Sequence, residues 1–256
     1  MNTSKRDALF ANPLGAVEPF QFNQSVVDVF PDMLKRSIPG YETIIAQSGL
    51  LATRYAKADT QLYDLGCSLG ATAISMEAAL GQLPAEQRLD NFRIVGVDNS
   101  TAMLTECERV LEQFYRSNSS LQRHIDLQLE SVEDTKIENA SVVALNFTLQ
   151  FVPEPSRNAL MARIYSGMRT GGVLILSEKI AFPDARVNEQ HIEMYHAFKS
   201  ANGYSDLEIA QKRTALENVL VPETLDQHQA RLQNNGFTQT SVWFQCFNFA
   251  SMIAIK

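Results

Sequence analysis

The chain has 256 residues, 45% of them hydrophobic, enough to bury a full core. Its net charge of −7 would repel a phosphate backbone and argues against a direct grip on nucleic acid, while leaving a local basic patch open, and no apolar run reaches membrane-spanning length or, within residues 1–13, the length of a signal-peptide core. The three cysteines, Cys67, Cys107 and Cys246, are far apart and odd in number, so they read as reduced thiols in a cytoplasmic protein.

No Pro-, Gly- or Ser-rich linker divides the chain, and one α/β domain over 1–256 is expected. Residues 20–57 predict two helices broken by Ser37-Ile38-Pro39-Gly40, with Tyr41 starting the second, either as a ligand contact on a lid or as a packing tyrosine. A strand at 61–65 then runs into a glycine turn and a helix at about 70–80. A dinucleotide fingerprint needs glycines at 66, 68 and 71, where this chain has Gly66, Ser68 and Ala71. The alternative, Asp64-x-Gly66-x-x-x-Gly70, resembles the first motif of S-adenosylmethionine-dependent methyltransferases, whose ligand has no phosphate; a strand-to-helix turn of another α/β protein is the competing reading.

The second strand, 92–97, ends in Asp98-Asn99-Ser100, and Asp98 is placed either to accept from both ribose hydroxyls or to cap the helix at 101–115. A third strand at about 125–129 ends at Glu130-Ser131-Val132, where adenine would sit. The fourth, 141–146, ends in Asn146, facing ligand or closing a loop on its own backbone. A helix at 155–168 and Gly171-Gly172 lead to a fifth strand, 173–178. Residues 184–222 then form a polar helical insertion suited to a lid, before a core helix at 223–235. Two β-rich runs, 238–247 and 249–255, are close enough to pair antiparallel. The fold class is therefore α/β: a Rossmann-like methyltransferase fold, with a mostly parallel seven-stranded sheet, a C-terminal antiparallel hairpin and helices on both faces.

Chemistry-bearing motifs are sparse. Glu189, Glu193 and His196 share a helix face but lack the second Glu-x-x-His copy of a carboxylate metal site, and there is no Gly-x-Ser-x-Gly elbow. The insertion carries Lys199 and Gln211-Lys212-Arg213; facing the cofactor these cations would favour an anionic substrate, and facing outward they would only solvate a helix.

The strings Val29-Phe30-Pro31-Asp32-Met33, Ile38-Pro39-Gly40-Tyr41, Tyr63-Asp64-Leu65-Gly66-Cys67-Ser68, Val97-Asp98-Asn99-Ser100, Leu145-Asn146-Phe147-Thr148-Leu149-Gln150-Phe151, Ala201-Asn202-Gly203-Tyr204-Ser205, Gln211-Lys212-Arg213 and Trp243-Phe244-Gln245-Cys246-Phe247-Asn248-Phe249 together resemble the carboxy-S-adenosyl-L-methionine synthase family. The resemblance implies a homodimer that converts S-adenosyl-L-methionine and prephenate to carboxy-S-adenosyl-L-methionine and phenylpyruvate, without a metal. It implies that the product serves 5-oxyacetyl modification of tRNA wobble uridine. It further implies cofactor contacts from Tyr41, Gly66, Cys67, Ser68, Asp98, Asn99 and Asn146, an adenine-side pair at Ser131 and Val132, and Arg213 holding the added carboxylate as the catalytic side chain. At Ser131 the chain departs from the family, which usually has aspartate there.

Overall fold

A computed structural model describes residues 5–89 and 91–256, so the first four residues of the stretch weighed as a signal peptide lie outside it. Three helices come first, α1 (Gln24–Val27), α2 (Phe30–Ser37) and α3 (Tyr41–Tyr55), where two were expected. The extra break has a local cause: in a continuous helix the ring of Pro31 would meet the Val27 carbonyl, whereas at the start of α2 it is tolerated.

An alternating series follows: β1 (Gln61–Leu65), α4 (Ala71–Gly81), β2 (Arg93–Asp98), α5 (Thr101–Ser117), β3 (Ile125–Leu129), β4 (Ala140–Asn146), α6 (Glu154–Gly167) and β5 (Met168–Ala181). The insertion forms α7 (Ala185–Ala201) and α8 (Asp206–Leu216). After it come β6 (Glu223–Thr224), α9 (Leu225–Asn234) and the hairpin β7 (Gln239–Cys246) and β8 (Phe249–Ile255). The main sheet has the order β3-β2-β1-β4-β5-β8-β7, parallel except where β8 pairs with β5 and β7.

Two boundaries differ from expectation. β5 begins at Met168 rather than 173, because Gly171, at φ +78°, and Gly172 exchange backbone hydrogen bonds with Lys256 at the far end of the chain. Glu223–Thr224 is not helical: it adds an eighth, two-residue strand beside Ile180–Ala181, and Thr224 caps α9 in a reciprocal pair with Gln227.

Strand alternation divides the core in two. Tyr63, Leu65, Val143, Leu145, Leu174 and Leu176 pack against α6 and α9, while Leu62, Ile94, Val142, Ala144, Val173 and Ile175 pack against α3 and α4. Helices α3 and α4 approach closely at Gly49, where a Cβ would lie 2.5 Å from the Ser75 carbonyl oxygen. That contact delivers the polar Ser48 of α3 to the strand tips. On the other side of the insertion, Gln211 Nε2 donates to the carbonyls of Phe10 and Asn12 (2.8 and 2.9 Å), and the Tyr204 hydroxyl donates to buried Asp7 at 2.5 Å. The N-terminal segment thus clasps α8 to the body.

Candidate functional site

The loop after β1 turns at Gly66, φ +80°, where a Cβ would land on the Thr148 hydroxyl; only glycine permits both the conformation and the approach. The N–H groups of Gly66 and Cys67 donate to the Val97 carbonyl (2.8 and 2.9 Å), and Ser68 N–H donates to Asp98 Oδ2 at 2.9 Å. Asp98 Oδ1 accepts the Ser100 N–H, also at 2.9 Å. The capping role weighed for Asp98 belongs instead to Ser100, whose Oγ accepts from Met103 N–H at 3.2 Å. Asp98 ties two loops together and still has a lone pair on each oxygen. Burial pushes its pKa up, opposed by the N–H groups of Ser100, Ser68 and Asn99. The Asn99 side chain is exposed on the rim. Cys67 turns its thiol inward to Cys107, and that hydrogen bond together with burial pushes the thiol pKa well up. Only the Cys67 backbone is therefore offered to a ligand.

A row of polar groups crosses the strand tips on the α3/α4 face. Asp64 is buried, accepts from Ala73 N–H at 3.0 Å, and is pushed up to about 7 by burial, with the nearby Asp98 charge adding to the rise. Tyr41, at the start of α3, lies in the same field: burial first, then the Asp64 charge, raises its phenol pKa. Asn146 donates to Ser48 Oγ (3.2 Å) and Thr72 Oγ1 (3.1 Å) and accepts from Ser177 Oγ (2.6 Å). Its amide is gripped by three other elements, so the self-closing loop reading does not hold. Ser131 Oγ accepts Glu133 N–H at 3.3 Å, and Val132 packs on the core; Glu130 N–H, one residue earlier, donates to the Asp98 carbonyl at 3.1 Å. The structure thus brings Gly66, Cys67, Ser68, Asp98, Asn99, Ser131 and Val132 to neighbouring strand ends.

Arg213 stands apart from that group. It is exposed on α8 and lines a cleft of about 350 Å³ with His196 and Asp206, without an ion pair among the described residues. Its charge reaches Lys179 at the end of β5. The run Gln211-Lys212-Arg213 therefore splits: Gln211 and Lys212 are buried toward the N-terminal segment and only Arg213 faces the cleft. A larger depression of about 480 Å³ lies beside the starts of β4 and β5, lined by Ile137, Asn139 and Met168, and shares no residue with this crevice. Among the described residues no three His, Cys, Asp or Glu side chains gather as metal ligands, and no helix is long and apolar enough to cross a membrane.

Sequence reasoning missed Glu178 and Lys179. Glu178 is fully buried on the α6/α9 face, where it accepts the N–H groups of Leu149 and Gln150 (both 2.9 Å) and holds the segment after Asn146 in place; burial drives its pKa to about 8 against those bonds. Lys179 points the opposite way, toward the ring of Tyr195. The available signal was an acid and a base ending an otherwise apolar strand, Val173-Leu174-Ile175-Leu176-Ser177.

The chain superposes on solved methyltransferases. Magnesium protoporphyrin IX methyltransferase from Synechocystis, solved with bound SAH, aligns with a TM-score of 0.61 at 14% identity, over 92% of this chain and 96% of that one. Human N-acetylserotonin methyltransferase in complex with SAM aligns at 0.58 and 14% identity, over 91% of this chain and 55% of that one. The fold is that of the class I S-adenosylmethionine-dependent methyltransferases. No family model matches the chain. Three curated relatives are named carboxy-S-adenosyl-L-methionine synthase. The one from Trichlorobacter lovleyi is 52% identical, covering 99% of this chain and 100% of its own. That from Aliivibrio fischeri is 49% identical over 98% of both, and that from Escherichia coli is 46% identical over 99% of this chain and 98% of its own. The chain belongs to the carboxy-S-adenosyl-L-methionine synthase family. It is a transferase that takes S-adenosyl-L-methionine as substrate and gives carboxy-S-adenosyl-L-methionine as product.

The residues present suit that substrate. Gly66 leaves no Cβ in the turn, and the Asp98 carboxylate keeps acceptor capacity for ribose hydroxyls.

Proposed function

We propose that prephenate supplies the carboxyl group and leaves as phenylpyruvate. Its ring aromatises as one carboxylate departs as carbon dioxide and the ring hydroxyl as hydroxide. The sulfonium methyl gives its proton to that hydroxide, forming water, and the carbanion adds to the carbon dioxide. Aromatisation drives the sequence, so no strong protein base is required. The protein's part is to hold two reactants in register, an effect worth ~7–11 kcal/mol, and to keep carbon dioxide from escaping.

In this reading Tyr41, Gly66, Cys67, Ser68, Asp98, Asn99 and Asn146 hold the adenosyl substrate, Ser131 and Val132 flank its adenine, and Arg213 receives the new carboxylate. The observation that carries it is Arg213 itself, a guanidinium without a carboxylate partner, presented to a cleft and within the field of Lys179. The added carboxylate of the product would give this guanidinium a bidentate partner. The chain works as one domain, with residues 20–57 and 184–222 as lid or dimer elements, in a cytoplasmic homodimer whose product feeds wobble-uridine modification without the protein gripping tRNA.

Incubation of the protein with S-adenosyl-L-methionine and prephenate is expected to yield an adenosyl product heavier by one carbon dioxide, with phenylpyruvate in equal amount. Methyl transfer to an acceptor in place of that product would establish an ordinary methyltransferase instead.

A further inference from the structure

Two lysines converge on one ring. Lys179 Nζ of β5 lies 5.1 Å from the centroid of Tyr195, and Lys199 Nζ of α7 lies 5.6 Å from the same centroid and 5.4 Å from that of Tyr204. Lys199 is buried, yet neither ammonium has a carboxylate at ion-pair distance or donates a side-chain hydrogen bond to another of the described residues. Their neighbour Lys212 behaves differently: it pairs with Asp7 at 3.7 Å and donates to Ser37 Oγ at 3.3 Å. Placing like charges together in a desolvated site is costly, and the faces of the two tyrosines offset only part of that cost. Burial, followed by the Arg213 charge, lowers Lys179 to about 8; burial, followed by the charges of Lys212 and Lys179, lowers Lys199 to about 7, with Asp7 and Glu208 opposing from longer range. An anion bridging β5 and α7 would remove the conflict.

The lysine pair is also tied to the row of polar groups at the strand tips. Lys179 is two residues beyond Ser177, the partner of Asn146, and on the same face of β5. Aromatic rings connect the two places: Tyr195 to Phe249 (5.0 Å between centroids), Phe249 to Phe147 (6.1 Å) and Phe147 to Tyr41 (6.3 Å). These rings form one buried aromatic cluster, and the two ammonium groups stand at its Tyr195 end.

We propose that Lys179 and Lys199, converging on Tyr195, bind a carboxylate of the second substrate, a cyclic unsaturated dicarboxylate. This rests on the reading that prephenate is that substrate, and it assigns the binding residues.

The test is titration of prephenate into protein saturated with S-adenosylhomocysteine, which lacks the methyl group and permits no turnover. Lys179→Met and Lys199→Met are each expected to weaken prephenate binding roughly tenfold or more, the scale of a lost charge-assisted bond, while S-adenosylhomocysteine affinity stays within about twofold. Should a methionine variant lose S-adenosylhomocysteine as well, Lys179→Gln and Lys199→Gln carry the same comparison with a polar end retained. Prephenate affinity within about twofold of wild type in both lysine positions would overturn the assignment. Turnover of the wild type separates the two ideas. Carboxylated product alongside unaffected lysine variants removes this pocket and leaves the proposed reaction standing. A wild type that neither binds prephenate nor forms the product removes both.

Discussion

The two sides of the crevice are built with opposite charge. On the glycine-loop side the side chains at the strand tips are acids, Asp64 and Asp98, braced by backbone N–H groups. On the insertion side they are cations, Lys179, Lys199 and Arg213, spread over β5, α7 and α8, the two lysines against aromatic rings. The first arrangement suits a ligand carrying ammonium, sulfonium and ribose hydroxyls; the second suits a polycarboxylate. A methyltransferase fold needs only the first. The division teaches that the two ends of the crevice differ in charge as well as in the elements that build them.

The strongest way to break the cationic side as a unit is through its clasp. Asp7→Asn replaces the carboxylate that accepts from the Tyr204 hydroxyl with a neutral amide and leaves Lys212 buried without a counter-ion, an expected loss of about 3 kcal/mol visible as a lower Tm. If the two sides are independent, S-adenosylhomocysteine still binds below the new Tm. Asp98→Ala attacks the other side: it orphans the N–H groups of Ser68 and Ser100 and removes the ribose acceptor, so calorimetry should show S-adenosylhomocysteine affinity falling by about 2–3 kcal/mol.

Arg213→Ala sharpens the contrast further. Binding of the carboxylated product is expected to weaken by about 1.5–3 kcal/mol, with S-adenosyl-L-methionine nearly unaffected; equal losses for both ligands would contradict its role. The smallest effect is a pH dependence. Asp64, with its pKa pushed up to about 7 by burial, is largely neutral below that pH, and a cationic ligand favours its charged form. Affinity for S-adenosyl-L-methionine should therefore rise severalfold as pH increases through about 7, and Asp64→Asn should flatten the slope. Asp98 also has a raised pKa and contributes to the same trend, so the two acids are separated by comparing the slopes of their variants.

The parallel strands and the glycine turn were legible because each is a contiguous apolar run with its punctuation beside it. The early start of β5 and the strand β6 were not, since their partners, Lys256 and Ile180–Ala181, are remote in sequence. The acidic side of the site was legible for the same reason as the strands: Asp98 and Asn146 are strand-end residues. The cationic side draws on residues from separate elements, and a basic run on a helix reads alike whether it faces a ligand, a clasp or water. Within Gln211-Lys212-Arg213 two of those outcomes occur side by side.

Glu178 and Lys179 are adjacent on β5 and point to opposite faces, one into the α6/α9 layer to hold Leu149 and Gln150, the other toward Tyr195. Seven successive pairings with β8, from Val173 with Ile255 to Lys179 with Phe249, keep that assignment in place. Shifting β5 by a single residue would put the carboxylate in the crevice and the ammonium in the core. Substrate charge selectivity is thus a matter of strand alignment: the hairpin that closes the sheet also determines which sign of charge the pocket shows.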